Sequence, residues 1–174
     1  IRWNIDYTSK QLPFGQMLAG YQFRHLNHYG NFIYERKDEE SGIYELIPEF
    51  SSEVNLNRMI HAAYVQWNKK IKKWSYASGV RFEYMNRDFQ LQDKANLIDS
   101  TYSYTYFKPF FSGNVSYTST ENLTWKLNFT QRVERETTFK MNPFPEREHS
   151  ETLEQGDPTV LPEFINTAEI GVIK

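Results

Sequence analysis

The side chains that most often do chemistry are sparse in this chain and poorly spaced for it. There are four histidines and no cysteine, which removes thiol chemistry, disulfides and cysteine metal sites. His25 and His28 stand three residues apart; on a strand that spacing puts them on opposite faces, so they cannot share a metal. His149 sits in Glu146-Arg-Glu-His-Ser-Glu151, a mixture able to hold a cation but read more simply as a solvated loop. Ser, His and Asp occur without a Gly-x-Ser-x-Gly elbow. The expectation is therefore no enzyme, no cofactor and no metal site. Asn114, Asn122 and Asn128 open Asn-x-Ser/Thr triplets in or beside predicted strands. The charged residues with a shared placement are Arg24, Arg81, Glu83, Lys126 and Arg132. Each falls on the polar side of a predicted strand. They are lumen-facing candidates if those strands wall a barrel, and simply wet if the protein is soluble.

The elements that position them are ribbons with one greasy and one wet side. In Leu123–Val133, Leu123, Trp125, Leu127, Phe129 and Val133 share a face with Gln131, and Thr124, Lys126, Asn128, Thr130 and Arg132 share the other. Period two is the strand signature; a helix would spread both classes around its circumference. The same alternation predicts strands over 1–8, 16–34, 56–68, 74–85, 101–118 and 165–173. Polar or Pro-rich stretches predict long loops over 35–55, 86–100 and 134–164. Pro109 interrupts the strand over 101–118, which a sheet tolerates only at an edge or a bulge. The fold class is all-β, an antiparallel up-and-down meander forming one unit over 1–174.

The chain has 174 residues, 17% of them aromatic, and a formal charge of −2, with a mean hydropathy of −0.71. Its basic residues are dispersed, which argues against a nucleic-acid partner. No run approaches the 18 apolar residues of a membrane helix. A β-barrel wall escapes that test, because its strands are only half apolar. Both ends fall inside alternating runs, which is expected of a piece of a longer polypeptide.

Predicted connections alternate between short and long. In a meander this places tight turns at one end and extended loops at the other, the asymmetry of an outer-membrane barrel. The apolar sides of the strands over 1–8, 74–85 and 123–133 carry no charge near their middles, and Trp67, Trp74, Tyr76, Tyr117 and Trp125 stand beside the short turns, where an interfacial belt sits. A soluble antiparallel barrel or sandwich, binding a ligand or partner through its long loops, alternates for the same reason and stays open on pattern alone.

One set of motifs narrows the choice. Arg132-Val-Glu-Arg135, Met141-Asn-Pro-Phe144, Gly156-Asp-Pro158, Leu161-Pro-Glu163 and Ala168-Glu-Ile-Gly171 follow one another in that order, downstream of His61-Ala-Ala-Tyr-Val-Gln66 and Gly79-Val-Arg-Phe-Glu-Tyr84. The ordered set resembles the C-terminal half of TonB-dependent-receptor barrels in their Bacteroidetes form. Glu136 and Asp157 stand where that family usually has Pro and Asn. The resemblance implies an outer-membrane location and import of a siderophore, vitamin or glycan. It further implies as partners a lipid bilayer, the remainder of the barrel with its plug domain, and the energy-coupling protein TonB. Open sheet edges imply pairing with that remainder or self-association. The Pro-rich segment over 134–164 is expected to be an ordered extracellular loop packed over its neighbours.

Overall fold

Alternating side chains leave the backbone donors and acceptors to be satisfied by neighbouring strands, and the chain does this in sequence order. The computed structural model describes every residue except 11, 145, 150 and 151, with backbone alone for 146–149, 152 and 153. Eleven strands are present among the described residues: β1 (Arg2–Thr8), β2 (Gln16–Phe32), β3 (Glu35–Lys37), β4 (Tyr44–Leu46), β5 (Ser52–Ile71), β6 (Trp74–Asp93), β7 (Asp99–Thr120), β8 (Leu123–Glu134), β9 (Glu146–His149), β10 (Thr152–Glu154) and β11 (Glu163–Ile173). Seven of them form one sheet in the order β1-β2-β5-β6-β7-β8-β11. Each is antiparallel to its neighbour. The hairpins β3–β4 and β9–β10 and a single helical turn, α1 (Thr138–Met141), lie within connections.

The expected loop over 86–100 is mostly strand. β6 runs on to Asp93 and β7 begins at Asp99. The turn between them is held by the Asp93 carboxylate, which accepts the backbone N–H groups of Leu97 and Ile98, both at 2.8 Å. Likewise β5 begins at Ser52, inside the expected loop over 35–55. The sequence hid these extensions because the apolar set changes sides. Below residue 85 the apolar residues of β6 are even-numbered, Trp74 to Tyr84; above it they are the odd-numbered Met85, Phe89 and Leu91.

Pro109 explains where one ladder stops. β7 pairs with β8 only as far as Ser112–Thr130. The next donor on that side, the N–H of Phe111, goes to the Gln131 side-chain carbonyl at 2.9 Å. Pro109, two residues on, turns its donor-free nitrogen to the same unpaired side.

The segment between β8 and β11 folds back over one face of the sheet. Met141 and Phe144 from this segment are buried against Val54, Leu56, Phe89 and Leu91. Beside them Ile60, Met85, Tyr106 and Phe110 pack under Val133 and Phe164. The connection is thus an ordered cover, and it contains a hairpin that Pro-rich composition did not suggest. Asp157 fixes its return: the Thr159 hydroxyl and N–H donate to the carboxylate at 2.6 and 2.8 Å and hold it below the usual carboxylate range. The N–H of Gly156 reaches the Asn142 carbonyl at 2.7 Å. A Cβ at Gly156 would meet the carbonyl oxygens of Lys140 and Asn142 at 2.5 and 2.7 Å. Gly156→Ala is expected to cost about 1–3 kcal/mol by overpacking and to speed protease cleavage within the cover; unchanged cleavage would show that the cover does not depend on this approach.

Candidate functional site

Directly paired residues in an antiparallel sheet point to the same side, so register assigns the two faces row by row. On the outer face, from the tight turns upward, the rows include Ile71–Trp74 with Tyr117–Trp125, then Ala19–Val65–Val80–Phe111, then Phe23–His61–Tyr84–Phe107. Above them the rows turn polar: Asn27–Asn57–Asp88–Ser103, Tyr29–Asn55–Gln90–Thr101 and Asn31–Glu53–Gln92–Asp99. The change falls at the same height on four adjacent strands. The apolar band covers 74–84 on β6 and 107–117 on β7, which is the span of about 9–11 residues that crosses a bilayer at a tilt. The 20 residues of β6 extend about 66 Å at roughly 3.3 Å each. The hydrocarbon layer is about 30 Å thick, so the upper half projects beyond it.

The outer band is bare. Trp3 and Phe107 are each 67% exposed and Ile170 is 81% exposed. A soluble sandwich would bury this face beneath a second layer, and none covers it among the described residues. What is covered is the opposite face. At the turn end Trp74 packs against Tyr76 and Tyr117, with ring centroids at 6.0 and 4.6 Å. Trp67 donates its indole N–H to the Phe14 carbonyl at 2.8 Å. Near the upper edge His61 lies among Phe23 and Tyr84, with centroids at 4.9 and 6.3 Å, and bonds the Tyr21 hydroxyl. Aromatic rings with a polar handle at both margins suit the two interfaces of a membrane.

The polar face is organised around Glu83, which is 3% exposed. Its carboxylate pairs with Arg81 at 3.0 Å and with Arg135, and accepts the hydroxyl of Tyr106. Arg135 also donates to that hydroxyl at 3.0 Å. Arg81 and Arg24 both donate to the Gln22 carbonyl oxygen, at 3.0 and 2.7 Å. Higher up, Arg58 donates to the backbone carbonyl of Glu136 at 3.3 Å and Arg87 to that of Val160 at 3.1 Å. Three arginines therefore tie the cover to the sheet: Arg135 from the cover downward, Arg58 and Arg87 from the sheet upward. Arg58 and Arg87 lie above the apolar band, and burial pulls both guanidinium groups below their usual range.

Of the five charged residues picked out by sequence, register puts all on this polar face. Arg24, Arg81 and Glu83 meet in one cluster; Lys126 and Arg132 stand apart and exposed. Gln22, Arg58, Arg87, Tyr106 and Arg135 complete the site and were not foreseen. Arg135 lies past the last predicted residue of its strand, and nothing local in a sequence pairs residue 135 with residue 83. His25, on the outer face, bonds Asn57 at 2.9 Å. The side chain of His149 lies outside the described residues. Asn114 and Asn128 bond each other across β7 and β8.

No helix among the described residues is long and apolar enough to cross a membrane, a test that does not bear on strands. Compared with known families, residues 1–174 match the model of the Outer membrane protein beta-barrel family. No curated protein and no solved structure matches the chain.

Proposed function

This chain belongs to the outer-membrane β-barrel family, and on that premise we propose that it is part of the wall of a TonB-dependent-type importer. The coarser statement needs no proposal: it is an outer-membrane protein whose antiparallel meander forms barrel wall and touches lipid. The finer reading is supported by one observation above the rest. The face turned away from lipid is charged, and a long connection from the far end is bound onto it through Arg58, Arg87 and Arg135. An inward-folded cover over charged side chains suits a lumen that selects and admits a solute, where a passive scaffold needs only a polar lining. The ordered motifs from Arg132 to Gly171 lie in this cover and in β11. The solute is a siderophore, vitamin or glycan fragment, and the reading includes no enzymatic step.

Topology sets a requirement. β1 and β11, the two edges of the sheet, run in the same direction, so they cannot close antiparallel on each other. An even-stranded antiparallel barrel needs an odd number of further strands beside these seven. The plug and the energy-coupling contact to TonB likewise belong to other parts of the assembly.

The test is solute uptake by cells carrying or lacking the gene, with and without a functional TonB. Uptake of one solute class is expected to need both. If no siderophore, vitamin or glycan distinguishes the strains, the importer reading fails while the barrel wall stands.

A further inference from the structure

Arg2, Arg24, Arg58, Arg81 and Arg135 lie on the polar face, and only Arg81 and Arg135 pair with Glu83 among the described residues. Glu83 is fully used by Arg81, Arg135 and Tyr106. Asp6, on the same face, accepts the hydroxyl of Tyr64, and the Glu136 carboxylate pairs with Lys140 at 3.6 Å. Arg2, Arg24 and Arg58 make no ion pair among the described residues. Arg24 spends its Nε and Nη2 donors on the neutral Gln22 carbonyl, at 2.9 and 2.7 Å, and Arg58 reaches only a backbone carbonyl. The Nε of Arg135 is buried with no hydrogen-bond partner among the described residues.

These residues border open grooves. Arg2, Arg24, Arg58 and Arg135 line one of about 460 Å³, together with Ile60. Arg2, Arg24 and Arg81 line a second of about 530 Å³. Neighbouring like charges repel one another. A guanidinium stays protonated, so the repulsion cannot be relieved by losing a proton. What relieves it is an anion, and planar N–H forks match the oxygens of phosphate and carboxylate.

We infer that the Arg2–Arg24–Arg58–Arg135 cluster is a binding site for a small oxyanion of the phosphate or carboxylate class. Arg24 and Arg58 are its walls, Arg135 its link to the cover, and Glu83 the group that holds Arg135 in place. The inference deepens the importer reading by naming a charge class for its cargo, yet binding can be read without transport.

The experiment is titration of the full-length protein in detergent with inorganic phosphate, followed by calorimetry. Saturable binding, weakened by added sodium chloride, is expected. Arg24→Gln with Arg58→Gln should weaken it at least tenfold, whereas Lys70→Gln, beside a tight turn, should leave it unchanged. Absence of saturable binding to the unaltered protein overturns the inference, as does binding that the paired substitution leaves intact. If the protein itself supplies the anion, phosphate will not bind and the paired substitution will lower the melting temperature; that result also overturns it, assigning the cluster to an internal carboxylate. Phosphate binding without uptake by cells supports the site and counts against the importer reading for this solute.

Discussion

Val80→Arg should destabilise the full-length protein in phospholipid vesicles by about 2–4 kcal/mol, the cost of a cation at the bilayer midplane. Val80 lies on the outer face, in the row with Val65 and Phe111, midway between the Trp74 and Tyr84 margins. The same substitution at other heights should cost less. Ile71→Arg, beside a tight turn, should cost about 0–1 kcal/mol, because an interfacial cation keeps its water. Gln90→Arg, above the band, should fall within about 0.5 kcal/mol of the parent, as surface changes do. Urea unfolding in vesicles measures all three. Equal costs at the three heights would mean that hydrocarbon does not end where the apolar set changes sides.

Glu83→Ala should cost about 3–5 kcal/mol, the penalty for breaking a buried ion pair from one side. Glu83 is 3% exposed, and the Arg135 side chain beside it is 18% exposed. Without the carboxylate, Arg135 is left beside Arg24 with the Tyr106 hydroxyl as its one remaining acceptor among the described residues. The cover should then lift, and protease cleavage over 135–162 should rise well before global unfolding. Glu83→Gln with Arg135→Gln should recover part of the loss, since the pair is removed together; a double-mutant cycle isolates the coupling. If Glu83→Ala leaves both stability and cleavage unchanged, the cover is held by its apolar contacts alone.

Mid-membrane charge and the buried carboxylate depend on opposite faces of the same strands. Below residue 85 the apolar residues of β6 face lipid; above it they face the cover. β5 and β6 therefore solve two burial problems in succession, first against hydrocarbon and then against Met141 and Phe144. On the outer face the apolar rows give way to polar ones bearing Asn, Gln and Asp, while Arg58 and Arg87 keep charge on the inner face beneath the cover.

What the sequence determined by itself was local. Period-two alternation set the strands from Arg2 to Thr8 and from Leu123 to Glu134 nearly to the residue, because the two faces of a strand see different solvents. The alternation of short and long connections also identified the tight-turn end, where Trp67, Trp74 and Trp125 stand, and the strand pattern the polar-face placement of Arg24, Arg81 and Glu83. Tertiary structure decided the rest. The upper part of β6, residues 86–93, reads as loop because its apolar side chains point toward a cover supplied some fifty residues later in the chain. The Glu83–Arg135 pair, and the Arg135 side of the groove beside Arg58, arise only when that cover folds down. Alternation reports what each side chain faces; it does not report which distant segment supplies the surface.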